Sequence, residues 1–210
     1  MFTGIIEETG IVERVVRGAR SLEIAIRAEK IFDDLKVGDS VAVNGICLTA
    51  TRVTPPVFTA DVMAETVRRT SLDRVRIGSR VNLERAMPAN GRFGGHIVSG
   101  HIDGTGTVHQ ISREDNAIWI RIGAPEDILR YIVEKGSVAL DGVSLTVAKT
   151  DSGGFSVSII PHTASETTLS ELRNGDNINI ECDIIGKYVD KLTKRERGGI
   201  TEDMLRRYGF

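Results

Sequence analysis

Residues 40–49, SVAVNGICLT, recur 97 positions later as residues 137–146, SVALDGVSLT. Six of the ten positions are identical, and the other four exchange similar residues. The same shift brings residues 70–84 onto residues 167–181, where six more positions are identical. Self-similarity at a fixed spacing is the sequence signature of a repeated structural unit.

A third block extends the repeat toward the start of the chain. Residues 4–12, GIIEETGIV, match residues 100–108, GHIDGTGTV, at a shift of 96, which one inserted residue explains. Three blocks in one order and almost one register are hard to obtain by chance. We therefore interpret the chain as a duplication, with one unit at 1–90 and a second at 91–186 that are joined through a short linker at 86–96.

Each unit is dominated by the period-two alternation that is typical of strands. In SLEIAIRA, Leu22, Ile24 and Ile26 alternate with polar or small residues, and IWIRIGA repeats the pattern from Ile118. Further strands are predicted in VAVNGICLTATRV, FTADVM and RVNLE, which Gly, Asp and Pro turns bound. About six strands in so short a unit predict a small closed barrel, because closure removes exposed strand edges.

Short helices are expected between the strands. The segment PEDILRYIVEK at 125–135 is predicted to be a helix with Pro125 in its first turn and an apolar face of Ile128, Ile132 and Val133. The tail at 187–210 has no counterpart in the first unit. It is interpreted either as a solvated helix end or as an amphipathic helix that contacts another subunit.

Three apolar residues recur at helical spacing around the start of the tail. Ile185 lies just before it, and Val189 and Leu192 lie inside it. Gly198 and Gly199 are then expected to break the helix, and Thr201 is expected to cap a second short turn.

Composition excludes several classes of function. The 210 residues carry a formal net charge of -2, which argues against a general nucleic-acid binder. The sequence has no apolar run long enough for a transmembrane helix and no signal-peptide pattern at its start, and Cys47 and Cys182 make no disulfide framework. We therefore expect a cytoplasmic protein. His96 and His101 lack a third ligand pattern, so no metal site is expected.

Four pairs of matched positions differ in their chemistry. They are Cys47 and Ser144, Ile5 and His101, Glu65 and His162, and Ala86 and Asp183. This is what a protein needs if it holds two similar ligands and treats them differently, although ordinary drift produces the same pattern. Cys47 alone reads more simply as a small buried thiol. His101 suits either a structural role or proton transfer, and Asp183 suits either a strand end or the orientation of a base.

Together these blocks resemble the riboflavin synthase family over about residues 1–190. The motifs that carry the likeness are MFTGIIEETG at 1–10, NGICLT at 44–49, ADVMAET at 60–66, GGHIVSGHIDG at 94–104, DGVSLTV at 141–147 and SIIPHT at 158–163. The chain departs from the family pattern mainly in its tail, where the glycine pair puts a single long helix in doubt.

The resemblance implies an all-β fold of two homologous six-stranded Greek-key barrels of flavin-reductase-like type, followed by a C-terminal helix. It implies that two molecules of 6,7-dimethyl-8-ribityllumazine react by transfer of a four-carbon unit. The products are riboflavin and 5-amino-6-ribitylamino-uracil, and neither a cofactor nor a metal takes part. Each barrel is expected to bind one lumazine. The active site is expected where the N-terminal barrel of one subunit faces the C-terminal barrel of another in a homotrimer, and association with lumazine synthase is a further expected partnership.

The family pattern also implies roles for individual residues. His101 is the candidate for proton transfer, Ser40 and Cys47 act on the acceptor side, and Asp183 positions or polarises. The lumazine of the N-terminal barrel is expected to contact Gly4, Ile5, Ile6, Cys47, Leu48, Thr49, Asp61, Val62, Met63, Ala64, Glu65 and Thr66. The lumazine of the C-terminal barrel is expected to contact Lys135, Ser144, Leu145, Thr146, Ser158, Ile159, Ile160, Pro161, His162 and Thr163. Gly100, His101 and Ile102 complete the predicted binding set as the counterparts of Gly4, Ile5 and Ile6.

Two other classes of function stay open. The fold also resembles antenna proteins, which hold a lumazine or flavin without converting it, but in those one half loses its binding residues and here both L-T motifs are intact. An oligonucleotide-binding barrel is disfavoured because aromatic residues are only 5% of the chain.

Overall fold

The computed structural model describes residues 1–18, 21–193 and 202–209. The first barrel is built from six strands. These are β1 (Glu8–Arg17), β2 (Ser21–Arg27), β3 (Ser40–Val43), β4 (Ile46–Thr54), β5 (Val57–Met63) and β6 (Arg80–Arg85). They close in the order β1-β2-β5-β4-β3-β6, and every neighbouring pair is antiparallel. The order is that of a Greek key.

The second barrel repeats this arrangement. Its strands are β7 (Gly104–Glu114), β8 (Ala117–Gly123), β9 (Ser137–Leu140), β10 (Val143–Asp151), β11 (Gly154–Ile159) and β12 (Asn177–Cys182). They close in the order β10-β11-β8-β7-β12-β9. Read around the closed ring from β7, this is β7-β8-β11-β10-β9-β12, which matches the first barrel strand for strand. The prediction of two closed six-stranded barrels is confirmed.

Each barrel encloses its own apolar core. In β2 the predicted alternation holds, because Leu22, Ile24 and Ile26 are buried inside the first barrel. In β8, Ile120 and Ile122 are buried inside the second. Burial of this apolar surface is the main force that closes each sheet.

Tight turns connect the repeated strand pairs at the centre of the motif that opens the sequence. Asn44 and Gly45 join β3 to β4, with φ of 46° and 79°. Asp141 and Gly142 join β9 to β10, with φ of 42° and 82°. Two consecutive residues with positive φ match the twist of an antiparallel pair, which explains the N-G and D-G dipeptides. VAVNGICLTATRV is therefore two strands and a turn.

The two turns meet at the junction between the barrels. The Nδ2 group of buried Asn82 donates to the Asp141 carbonyl at 2.9 Å, and the Nδ2 group of buried Asn179 donates to the Asn44 carbonyl at 2.9 Å. A Cβ on Gly45 would lie 2.6 Å from the backbone nitrogen of Gly142, so the turns approach each other closely. The repeat is therefore also a packing symmetry that joins the two halves.

Three short α-helices lie between strands, and two more follow β12 in the described residues. They are α1 (Ala64–Arg69), α2 (Glu126–Leu129), α3 (Pro161–Glu166), α4 (Ile184–Thr193) and α5 (Glu202–Arg207). The predicted helix over 125–135 is wrong in length, because α2 ends after one turn and the chain then turns to reach Lys135 with a φ of 64°. Ile128 and Ile132 are buried as predicted, whereas Val133 is exposed.

The tail begins with α4, which starts at Ile184, slightly before the predicted position. Lys187 donates to the Asp103 carboxylate at 2.7 Å, and Asp190 accepts from the Tyr131 hydroxyl at 3.2 Å. These contacts fix one side of α4 on the second barrel. The predicted glycine break at Gly198–Gly199 and the Thr201 cap lie outside the described residues. Within the described residues, no helix is long and apolar enough to cross a lipid bilayer.

Candidate active site

The start of the chain lies on the second barrel. Phe2 pairs with Val98 in an isolated antiparallel bridge. The Gly4 carbonyl then accepts a hydrogen bond of 2.8 Å from the backbone nitrogen of Ser144, and Ile6 packs against the core of the second barrel. Residues 2–6 are therefore named the first crossing segment.

Residues 98–102 make the reciprocal contact and are named the second crossing segment. The Gly100 carbonyl accepts a hydrogen bond of 2.9 Å from the backbone nitrogen of Cys47, and Ile102 packs against the core of the first barrel. The two barrels therefore exchange short segments.

This exchange bears on how the predicted ligand contacts are grouped. Gly4, Ile5 and Ile6 are predicted to bind ligand together with Cys47–Thr49. In the structure Gly4 bonds Ser144 in β10 and Ile6 packs on the second core, while Ile5 lines a cleft with Ser40. Cys47 is instead accompanied by the second crossing segment. Adjacency along the chain places Gly4 in the first unit, whereas its hydrogen-bond partner lies 140 positions away.

Glycine is required in both crossing segments. Gly4 has a φ of 76°, and a Cβ on it would lie 2.6 Å from the Cβ of Ser144. Gly100 has a φ of 82°, and a Cβ on it would lie 2.5 Å from the Cβ of Cys47. A side chain would clash at either position, and the backbone conformation would be strained. The match between Gly4 and Gly100 is thus explained by close backbone approach.

Two buried carboxylates fix the crossing segments. Glu84 in β6 accepts from the backbone nitrogens of Thr3 at 2.7 Å and Gly4 at 3.0 Å. Glu181 in β12 accepts from Gly100 at 2.9 Å and His101 at 3.1 Å. Burial raises the pKa of Glu84, and the donated N–H groups of Thr3 and Gly4 oppose that rise. The recurring glutamate of the repeat therefore positions backbone.

The L-T motifs present matched side chains on the outside of each barrel. Leu48 is buried, while Cys47 is half-buried and Thr49 is exposed on the opposite face of β4. In β10, Leu145 is buried, while Ser144 is half-buried and Thr146 is exposed. Strand alternation puts Cys47 and Thr49 on one outer face, and Ser144 and Thr146 on the equivalent face of the second barrel.

Ser40 belongs to the same outer face as Thr49. The two residues are paired across β3 and β4, and the Ser40 carbonyl accepts from the backbone nitrogen of Ala86 at 3.0 Å. Ser40 also lines a cleft of about 460 Å³ together with Thr3 and Ile5. This cleft lies beside the linker, so Ser40 is open to a small molecule.

The strand-to-helix junctions carry the remaining predicted binding residues. Residues 61–66 run from the end of β5 into α1, and residues 158–163 run from β11 into α3. The first junction lines a surface cavity of about 760 Å³, and the Glu65 carboxylate at its rim pairs with Arg68 and Arg69. His162, the counterpart of Glu65, is exposed. Lys135 adjoins β10, since its backbone nitrogen donates to the Val147 carbonyl at 2.8 Å.

Three of the predicted contact residues are exposed apolar side chains. Ile5 is 49% exposed, Met63 73% and Ile160 59%. Exposed apolar side chains of this size are candidates for contact with a ligand or a partner.

The four predicted catalytic residues occupy distinct positions. His101 is exposed at the end of the second crossing segment, and its counterpart Ile5 is exposed at the end of the first. The Asp183 carboxylate accepts from the Ile185 backbone nitrogen at 2.9 Å, so it caps the start of α4. Cys47 is half-buried and packs against a small apolar cluster at the barrel junction that includes Phe2.

Sequence reasoning missed one residue near the site. His96 places Nδ1 2.7 Å from the Ser144 hydroxyl oxygen, and its Nε2 atom is buried without a hydrogen-bond partner among the described residues. Burial lowers the pKa of His96, while nearby Asp183 and Glu181 oppose that change. The Gly94-Gly95 pair just before His96 is the sequence feature that could have indicated a close backbone approach here. In the part of the chain that the structure describes, no group of His, Cys, Asp and Glu has the arrangement of a metal site.

The fold defines a class of proteins built from two closed six-stranded barrels. The lumazine binding domain model matches residues 3–86 and again residues 99–183. A riboflavin synthase from Actinobacillus pleuropneumoniae is 48% identical over the whole of both chains. One from Bacillus subtilis (strain 168) is 47% identical over 98% of this chain and 95% of its own. The chain therefore belongs to the riboflavin synthase family of lumazine-binding proteins.

Solved structures show the same architecture. LumP complexed with riboflavin is 26% identical with a TM-score of 0.81, and the match covers 87% of this chain and 99% of LumP. LumP complexed with 6,7-dimethyl-8-(1'-D-ribityl) lumazine has a TM-score of 0.79 at 24% identity, over 86% of this chain and 98% of LumP. The second likeness concerns the fold alone.

Proposed function

We propose that the protein converts two molecules of 6,7-dimethyl-8-ribityllumazine into riboflavin and 5-amino-6-ribitylamino-uracil. A four-carbon unit passes from one lumazine to the other, so the atoms of the two substrates equal those of the two products. The observation that carries the proposal is the pair of matched outer faces, in which Cys47 and Ser144 occupy equivalent positions beside equivalent glycines. Family membership over the whole chain supports the same reaction.

Each face suits a neutral, hydroxyl-rich ligand. Thr49 on one barrel and Thr146 on the other are exposed hydroxyls, and the crossing segments bring backbone groups beside them. The ribityl chain and the pyrimidine edge of a lumazine are neutral donors and acceptors, which such groups bind well. The exposed apolar side chains of Ile5, Met63 and Ile160 supply surface for a flat ring.

The difference between the faces supplies the asymmetry that the reaction requires. A proton must leave the acidic 7-methyl group of one lumazine, and the other lumazine must accept a nucleophile. His101 is exposed at the position where the other half has Ile5, so the proton-transfer role falls to His101. Ser40 and the Cys47 thiol act on the acceptor lumazine. Asp183 acts as a positioning residue through the start of α4.

A second subunit would complete the site. Holding two rings face to face converts a bimolecular step into one within a complex, and exclusion of water strengthens each polar contact. On α4, the exposed residues Ile185, Tyr188, Val189 and Leu192 form an apolar stripe opposite the side that contacts the barrel. We propose that this stripe joins subunits into a homotrimer. The N-terminal barrel of one subunit would then face the C-terminal barrel of the next.

The cellular setting follows from the proposed biosynthetic role. Both cysteines are free, as a reducing cytoplasm would keep them. Association with lumazine synthase, which would make the substrate available, belongs to the same proposal.

A non-catalytic antenna protein is the second candidate, and the similarity to LumP in complex with riboflavin favours it. The intact motifs in both halves favour the enzyme. Incubation of the purified protein with 6,7-dimethyl-8-ribityllumazine separates the two, with flavin absorbance and fluorescence as the signal. The enzyme consumes two lumazines for each riboflavin formed, whereas the antenna protein binds lumazine tightly and forms no flavin.

A further inference from the structure

His96 reaches the C-terminal face because the linker passes directly over Ser144. A Cβ on Gly95 would lie 2.7 Å from the Ser144 hydroxyl oxygen and 2.2 Å from the Thr3 carbonyl, so only glycine allows this approach. The backbone nitrogen of His96 donates to the same Thr3 carbonyl at 3.1 Å. Backbone contacts on both sides therefore fix where the imidazole lies.

Burial lowers the pKa of His96 below its ordinary value, which favours the neutral imidazole. A neutral ring carries one N–H. If Nε2 carried it, a buried donor would have no partner among the described residues, which is the costlier arrangement. The favoured tautomer therefore carries the proton on Nδ1 and donates it to the Ser144 oxygen, 2.7 Å away.

This bond determines what Ser144 offers to a ligand. The Ser144 hydroxyl oxygen accepts from His96, and the Ser144 backbone nitrogen donates to the Gly4 carbonyl at 2.8 Å. The Ser144 hydroxyl proton is then free to point away from the ring, toward the outer face of β10 that it shares with Thr146. A hydroxyl that already accepts one hydrogen bond is a stronger donor in the next.

The equivalent position in the first barrel lacks this arrangement. The backbone nitrogen of Cys47 is held by the Gly100 carbonyl in the same way, but no imidazole bonds the thiol among the residues that the structure describes. A thiol is also a weak donor. The two faces therefore differ by an oriented hydroxyl as well as by the exchange of sulfur for oxygen.

We propose that His96 is a positioning residue that holds the Ser144 hydroxyl as a donor toward the lumazine bound on the C-terminal barrel. This inference rests on the proposed function, since it gives that reaction an additional residue. His96 itself does not contact the substrate. Its effect passes through Ser144 and is absent from the Cys47 face.

The test compares the steady-state kinetics of four variants and one control variant with those of the unsubstituted protein, using 6,7-dimethyl-8-ribityllumazine. His96→Phe keeps the ring volume and removes the donor, whereas the amide of His96→Asn places a donor near the position of Nδ1. Ser144→Ala removes the acceptor, and His96→Phe/Ser144→Ala removes both. His109→Phe is the matched control, because His109 lies on the exposed side of β7 next to Arg121.

We expect His96→Phe to lower kcat about tenfold, as loss of one oriented hydrogen bond near the reacting molecule would. His96→Asn should recover kcat to within about threefold of the unsubstituted protein, and the double variant should be no slower than Ser144→Ala. His109→Phe should leave kcat unchanged.

Two results would overturn the inference. One is a kcat of His96→Phe that equals that of His109→Phe, and the other is an equal loss in His96→Asn and His96→Phe, which a purely structural role would produce. Absence of flavin formation by the unsubstituted protein would instead reject the proposed function, so the two failures are distinguishable.

Discussion

Asp141 is acidic, whereas its counterpart in the first barrel, Asn44, is neutral. Titration of the Asp141 carboxyl group should make the stability of the protein depend on pH. Asp141 is buried in the turn between β9 and β10, where its carboxylate accepts from the backbone nitrogen of Asn179 at 2.9 Å. At the equivalent turn, the Asn44 side-chain oxygen accepts from the backbone nitrogen of Asn82 at 2.7 Å. An amide and a carboxylate thus fill one role, and replacing Asp141 with asparagine should preserve the turn.

The magnitude follows from the titration of the carboxyl group. Burial raises the pKa of Asp141 from 3.8 to about 7, and the hydrogen bonds from Asn179 oppose that rise. Below pH 3.8 the group is protonated in both the folded and the unfolded chain. Between pH 3.8 and about 7 only the unfolded chain loses the proton, so the contribution to stability falls as pH rises. A shift of about three pH units corresponds to about 4 kcal/mol.

Asp141→Asn removes this dependence, because the amide stays neutral. Compared with the unsubstituted protein, the variant should be more stable at pH 8 by up to about 4 kcal/mol and about equal at pH 4. Urea unfolding at both pH values, at one protein concentration, measures the difference. Asn44→Asp is the reciprocal control and should lose stability at pH 8. A difference between Asp141→Asn and the unsubstituted protein that is the same at both pH values would refute the reasoning.

Three further predictions concern the site and the assembly. Cys47→Ser removes the sulfur-for-oxygen difference between the two faces, so turnover should fall strongly while lumazine binding is mostly kept. Fluorescence titration measures the binding, and unchanged turnover would leave Cys47 with a core role alone. Gly100→Ala should lower the free energy of unfolding by about 2 kcal/mol more than the control Gly78→Ala. Both glycines have positive φ, but only Gly100 has a close neighbour at the position of an added Cβ. Equal losses in urea unfolding would contradict the close approach at Gly100. Val189→Glu places a charge in the exposed stripe of α4 and should yield monomers in analytical ultracentrifugation, whereas an unchanged oligomer would exclude α4 from the interface.

Local pattern predicted the barrels well because each repeat carries its own strand and turn signals. The alternation of Leu22, Ile24 and Ile26 and the positive-φ turns at Asn44 and Asp141 are decided by neighbouring residues. Helix length was harder to predict, since the end of α2 depends on the turn that leads to Lys135.

Long-range pairing could not be predicted in the same way. Nothing in residues 2–6 indicates that Gly4 contacts Ser144 rather than Cys47. A glycine carbonyl accepts from a strand nitrogen in the same way on either barrel, as the pairs Gly4–Ser144 and Gly100–Cys47 show. The role of His96 is hidden in the sequence for a related reason. Its significance comes from the Ser144 oxygen 2.7 Å away, which the spacing along the chain does not reveal.

The central claim is that two like faces bind one kind of molecule and give it opposite fates. His101 and Ile5 occupy equivalent, exposed positions at the ends of the two crossing segments. The most direct measurement is therefore the kcat of His101→Ala and of Ile5→Ala with 6,7-dimethyl-8-ribityllumazine. Loss of a positioned acid–base group predicts a fall of about a hundredfold for His101→Ala and only a small change for Ile5→Ala. Equal losses in the two variants would contradict the division of roles between the barrels.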